Sequence, residues 1–179
     1  FAMDKNYKIH LLQVRPIAKV NALKNYNIDQ ISLSLEKLFK KINKLQKPHH
    51  SLLGNSTAFG IMPDWNPAEM IGIHPKPLAL SLYQELITNT VWARQRLSYG
   101  YRDLTSNQLM TTFLGRPFID IRVDFNSWIP NSLPDKLAKK LKNFYINKYK
   151  KNTYLHDKIE FQIIFTCFNF NTEERLKEL

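Results

Sequence analysis

The clearest periodic segment begins at Ile28, where Ile28, Ile31, Leu35, Leu38, Ile42 and Leu45 recur every three or four residues with lysines between them. That spacing puts the apolar side chains on one face of an amphipathic helix. Asn27 with Gln30 supplies a start signal and Pro48 marks the end. Ahead of it, Tyr7 to Val14 reads as a strand, with turn residues Asp4 to Asn6 before it and Pro16 after it. His49 to Asp64, with two glycines and a proline, reads as a loop or a short strand crossing. At Asn66, Pro67 and Glu69 three helix-start signals coincide, so a short helix is expected. Leu78, Leu82, Leu86, Ala93 and Leu97 then fall near one face of a long helix ending before Gly100.

Two later segments alternate like strands. Leu109 to Leu114 and Phe118 to Phe125 flank Gly115-Arg116-Pro117, and a glycine in a two-residue loop suits a type II′ hairpin turn. In the second, Ile119, Ile121, Val123 and Phe125 alternate with Asp120, Arg122, Asp124 and Asn126, so the strand has one buried and one ionic face. Ser132, Pro134 and Asp135 open another helix, with Leu137, Leu141, Phe144, Tyr145 and Tyr149 at helical spacing. Ile159 to Phe165 alternates again as a final strand. Helices mixed with antiparallel-looking strands, and no internal repeat, place the chain in the α+β class.

Composition adds a core and a basic surface. Of 179 residues, 44% are hydrophobic and 23% charged, enough apolar material for a folded interior. Lys and Arg total 26 against 15 Asp and Glu, a net charge of +11. Such a charge attracts phosphates, nucleic acid or acidic membrane. Lysine dominates, however, and gathers in stretches such as Lys136 to Lys151, the pattern of a solvated surface, which disfavours a nucleic-acid partner. The single cysteine, Cys167, forms no internal disulfide and reads as a buried thiol, so a reducing, cytoplasmic setting is expected. No apolar run nears the roughly twenty residues of a membrane span, and no membrane partner is expected.

Leu11-Leu12-Gln13-Val14-Arg15-Pro16 resembles the Leu-Gln-x-Arg-Pro signature that closes the ATP-grasp nucleotide-binding domain of phosphoenolpyruvate synthase, pyruvate phosphate dikinase and rifampicin phosphotransferase. Phe59 to Gly72, Pro77 to Tyr83 and Gly115 to Arg122 are similar to the central domain of a subgroup of phosphoenolpyruvate synthase-like proteins. The resemblance implies an ATP-dependent phosphotransferase (kinase), with ATP and Mg2+ as cofactors of the full-length protein and a small-molecule acceptor. It implies that 1–18 is the last strand of the ATP-grasp domain, 19–50 a connecting helix and 51–179 a central acceptor-side domain. The chain opens in mid-pattern at Phe1 and has neither the glycine-rich phosphate loop nor the Thr-x-x-x-His segment of the family. It therefore reads as an internal fragment, inactive alone and without catalytic residues, whose partners are the ATP-grasp and phosphohistidine domains of the same polypeptide. The alternative is a non-catalytic binding module whose basic surface takes a partner such as nucleic acid.

By that resemblance Gln13 and Arg15 reach the ATP phosphates and metal, a role that suits a guanidinium because phosphoryl transfer needs charge neutralised and oriented. Asp64 and Trp65 stand directly before the helix start at Asn66 and exceed what capping requires, so the three are candidate substrate-binding residues. Asp120 and Arg122, on the ionic strand face, are the others: either the face is held by cross-strand ion pairs, or it lines the acceptor pocket together with Asp64 and Trp65. Arg94, Arg96, Tyr99, Tyr101 and Arg102 fit a solvated helix end with arginine stems on aromatic rings. His49-His50 has no further ligand at metal-binding spacing, and no metal site is expected.

Overall fold

Helix α1 runs Ile28–Leu45 in the computed structural model of the chain, which describes residues 1–14, 27–63, 65–152, 154, 174 and 177. Its first turn is closed by Asn27, whose Oδ1 accepts the Asp29 N–H at 2.9 Å. The chain divides into two compact units, Phe1–Leu33 and Ser34–Leu179.

In the first unit, β1 (Ala2–Met3) pairs antiparallel with β2 (Ile9–His10). The strand expected over Tyr7 to Val14 is thus only two residues long. Asp4 sets the turn, accepting the N–H groups of Asn6 and Lys8, and Tyr7 takes φ +61°. Beyond His10 no partner strand continues the ladder among the described residues, and apolar side chains without a partner do not make a strand.

The second unit holds a three-stranded antiparallel sheet in the order β3 (Phe59–Gly60), β5 (Arg116–Asp120), β4 (Met110–Phe113), which with the helices gives the α+β class. The β4–β5 hairpin turns one residue earlier than expected. Phe113 pairs with Arg116, and Leu114 and Gly115 both take positive φ, +50° and +78°, the signature of a type I′ turn. Pro117 is tolerated in the middle strand because β3 reaches only Ile119 and Asp120, so no ladder bond is asked of its nitrogen.

The expected second strand ends at Asp120, where α5 (Ile121–Ser127) begins. The Asp120 carboxylate accepts the N–H groups of Arg122 and Val123, an N-cap that turns strand into helix. Every residue of α5 is buried, so the alternation of apolar and polar side chains reflects no solvent-facing side. Periodicity reports secondary structure only when one face meets water, which explains the wrong reading.

Helix α2 (Pro67–Met70) starts as expected, with Asn66 Oδ1 accepting the Glu69 N–H at 3.1 Å. The long helix over Leu78 to Leu97 is instead α3 (Pro77–Tyr83), a π-helical turn (Gln84–Thr88) and α4 (Val91–Ser98). The extra residue in that turn rotates the register, so Leu78, Leu82 and Leu86 are exposed while Tyr83, Thr88, Trp92, Ala93 and Arg96 are buried. Helix α6 (Asp135–Lys151) buries Ala138, Leu141, Lys142, Tyr145, Ile146 and Tyr149. Of these, Leu141, Tyr145, Ile146 and Tyr149 join Trp92, Leu104, Leu109, Ile119, Ile121 and Phe125 in the core. The strand expected over Ile159 to Phe165, and Cys167, lie outside the described residues.

Candidate functional site

Asp120 and Arg122 stand where β5 passes into α5, and both are buried, at 5% and 3% exposure. The ionic strand face is therefore corrected to a buried polar junction. Asp120 Oδ1 accepts the Thr57 hydroxyl at 2.5 Å as well as the two cap N–H groups. Burial raises its pKa, against the lowering effect of Thr57 and of the Arg122 charge. Arg122 donates from its two terminal nitrogens to the carbonyls of Lys47 and Leu45, both at 2.8 Å. A guanidinium there complements the negative end of α1 and satisfies carbonyls that a helix leaves unpaired. Gln46 reinforces the join by exchanging two bonds with the Thr57 backbone, each 3.1 Å.

This junction underlies a cleft of about 390 Å³. Asn107, Asp120 and Arg122 are its buried polar members, with Leu45, Leu52, Met110 and Val123 as apolar wall. His49, Ser106 and Gln108 are its exposed edge. His49 Nδ1 meets Ser51 Oγ at 2.9 Å, and Ser51 Oγ lies 3.1 Å from Asn107 Oδ1 and 3.0 Å from Asn107 Nδ2. Partial burial and the charges of His50 and Arg122 hold the His49 pKa below its usual value, with Asp120 opposing them.

Beside the cleft lies a group of cations. Lys142 is 1% exposed, and its ammonium reaches the Ser56 carbonyl at 3.4 Å, while Lys150 donates to Ser56 Oγ at 3.0 Å. Burial first, then Arg122 and Lys150, lower the Lys142 pKa to about 8, with Asp120 opposing. The sequence reading placed this lysine on a solvated surface. Its position four residues after Ala138 and seven before Tyr149 on the buried face of α6 was the available signal.

The other candidates do not converge here. Trp65 packs against the core, its carbonyl accepts the Tyr83 hydroxyl, and neither it nor Asn66 lines the cleft among the described residues. Asn66 is spent on capping α2. Asp64 and Arg15 lie outside the described residues, and Gln13 is exposed. The described residues hold no group of three metal-ligating side chains. Arg96 is not solvated but buried, its guanidinium 3.5 Å from the centre of the Trp128 ring, and Arg102 pairs with Asp135 at 2.8 Å. Among the described residues no helix is long and apolar enough to cross a membrane. No family model, curated protein or solved structure matches this chain.

Proposed function

We propose that this chain is the acceptor-side portion of an ATP-dependent phosphotransferase of the phosphoenolpyruvate synthase type, and that the cleft over Asp120 and Arg122 receives a small anionic acceptor. The observation that carries this reading is the meeting of segments that bear the resemblance. Phe59-Gly60 and Arg116-Asp120 are paired strands, and the second leads directly into the cleft through Asp120 and Arg122. Arg122, with Lys142 and Lys150 nearby, outweighs Asp120 and gives the region a field that favours an anion. Because both terminal nitrogens of Arg122 are engaged by α1, it acts as a fixed charge, and the edge residues His49, Ser106 and Gln108 supply direct contacts. Nucleotide binding and the phosphohistidine belong to other parts of the polypeptide in this reading.

The test is transfer of label. The intact polypeptide is incubated with γ-labelled ATP and Mg2+, then chased with small carboxylates and hydroxy acids. The expected result is acid-labile label on a histidine outside this chain that moves to one of the anions. A protein that never takes up label, or releases it only to water with every anion tried, overturns the proposal.

A further inference from the structure

Among the described residues only one oxygen of the Asp120 carboxylate serves the fold. Its Oδ1 accepts the Thr57 hydroxyl at 2.5 Å and the N–H groups of Arg122 and Val123 at 3.0 and 3.3 Å. Oδ2 takes part in no hydrogen bond among the described residues and is not sealed from solvent, and Asp120 lines the cleft. Capping α5 uses one carboxylate oxygen, so the second is spare. At the edge of the same cleft, His49 offers the complementary chemistry. Its Nδ1 accepts the Ser51 N–H at 3.4 Å and lies 2.9 Å from Ser51 Oγ, which in turn lies 3.0 Å from Asn107 Nδ2. With Asn107 donating to Ser51 Oγ, and Ser51 donating to Nδ1, the ring proton sits on Nε2. Nε2–H makes no hydrogen bond among the described residues and is a donor open to a ligand.

Resting on the function proposed above, we infer that the cleft selects a small anion that carries a hydroxyl, such as a hydroxy carboxylate. Asp120 Oδ2 pairs with the hydroxyl, and His49 Nε2–H donates to the anionic oxygen. A hydroxyl suits Oδ2 in either charge state, because it donates to the carboxylate and accepts from the protonated acid. A second carboxylate at that position meets repulsion from the ionised form. An ammonium is disfavoured by the positive groups that act on Asp120, which are Arg122 in α5, Lys142 on α6 and, when protonated, His49. A ligand with only hydrogen there leaves Oδ2 unpaired. Asp120 is thus a specificity-determining residue, while Arg122 remains the fixed charge.

The experiment is NMR titration of the 179-residue chain near pH 7 with lactate, propionate and alanine, which place a hydroxyl, a hydrogen and an ammonium beside the same carboxylate. Lactate should bind at least about tenfold more tightly than either of the others, as expected when a charged acceptor gains or loses its partner. Asp120→Asn keeps an Oδ1 for Thr57 and for the α5 cap, so it should fold, as circular dichroism will report. It replaces Oδ2 by an amide donor, and should lower the lactate-to-propionate ratio below about threefold while propionate itself binds more tightly. His49→Phe should weaken lactate and propionate alike, by about three- to tenfold, and leave their ratio unchanged. A wild-type preference for lactate below about tenfold, tighter binding of alanine, a ratio unchanged in folded Asp120→Asn, or no weakening in His49→Phe overturns the inference and leaves the cleft as an anion site. If Asp120→Asn does not fold, the wild-type comparison decides alone. Absence of saturable binding by all of these ligands overturns the reading of the cleft as acceptor site, and this inference with it.

Discussion

Lys142→Met takes a charge out of a site where the chain gives it little in return. The side chain is 1% exposed, its ammonium reaches the Ser56 carbonyl only at the long distance of 3.4 Å, and the nearest charges include Arg122 and Lys150. A pKa lowered from 10.5 to about 8 corresponds to about 3 kcal/mol of preference for the neutral form. Solvent screening around the neighbouring exposed Lys150 reduces this to about 1–2 kcal/mol, and loss of the long bond to Ser56 removes about 0.5 kcal/mol. Methionine keeps an apolar stem at this buried position of α6. The variant should therefore be more stable by about 1 kcal/mol near neutral pH. The sign of the pH effect follows from the lowered pKa. Below about 8 the lysine is charged in both states and the full cost is present. Between about 8 and 10.5 the folded state binds fewer protons than the unfolded one, so wild-type stability rises with pH and the advantage of methionine shrinks. Urea unfolding of both proteins near pH 7 and near pH 10 measures this, and the raised pKa of Tyr149 acts equally in both. A variant less stable than wild type near pH 7, or a difference that stays constant up to pH 10, would refute the reasoning.

Arg122→Ala should destabilise Ser34–Leu179 by about 3 kcal/mol in urea unfolding, because two charge-assisted bonds to the end of α1 are lost and the Leu45 and Lys47 carbonyls left open; Arg122→Lys should recover less than half. Gly54→Ala should cost at least about 1–2 kcal/mol, since Gly54 sits at φ +94° and a Cβ there would press on the buried Lys142. Asn66→Ala should cost about 1 kcal/mol through loss of the α2 cap, with anion binding at the cleft unchanged by calorimetry. Binding to generic DNA should be weak and should vanish between low and moderate salt in a filter or anisotropy assay, as counterion release alone dictates.

Helix starts were the most legible features. Asn66-Pro67 and Pro134-Asp135 do open helices, the first through the Asn66 cap and the second without a side-chain cap, with Asp135 in its first turn, because such start signals depend on a few neighbouring residues. The α5 error shows the opposite case: Asp120 was itself a readable N-cap, but the strict alternation that followed it suggested a strand, and only burial on all sides explains why that pattern carried no information. The π-helical turn at Gln84–Thr88 has no comparable local signal and shifted which leucines face out. In the cleft, Asp120 and Arg122 were found by residue type but given the wrong setting. Ser51 and Asn107 are 56 residues apart, and their bond could not be read from spacing. Trp65 exceeds what helix capping asks of the sequence, yet it packs against the core.

Whether a small anion enters the cleft is tested most directly by following backbone amide resonances of the 179-residue chain during titration with lactate and inorganic phosphate. Saturable shifts at His49, Ser106, Gln108 and Thr111 are expected, with little change along the lysine-rich outer face of α6. Saturation confined to α6, or no saturable shift at the cleft at millimolar anion, would contradict the account.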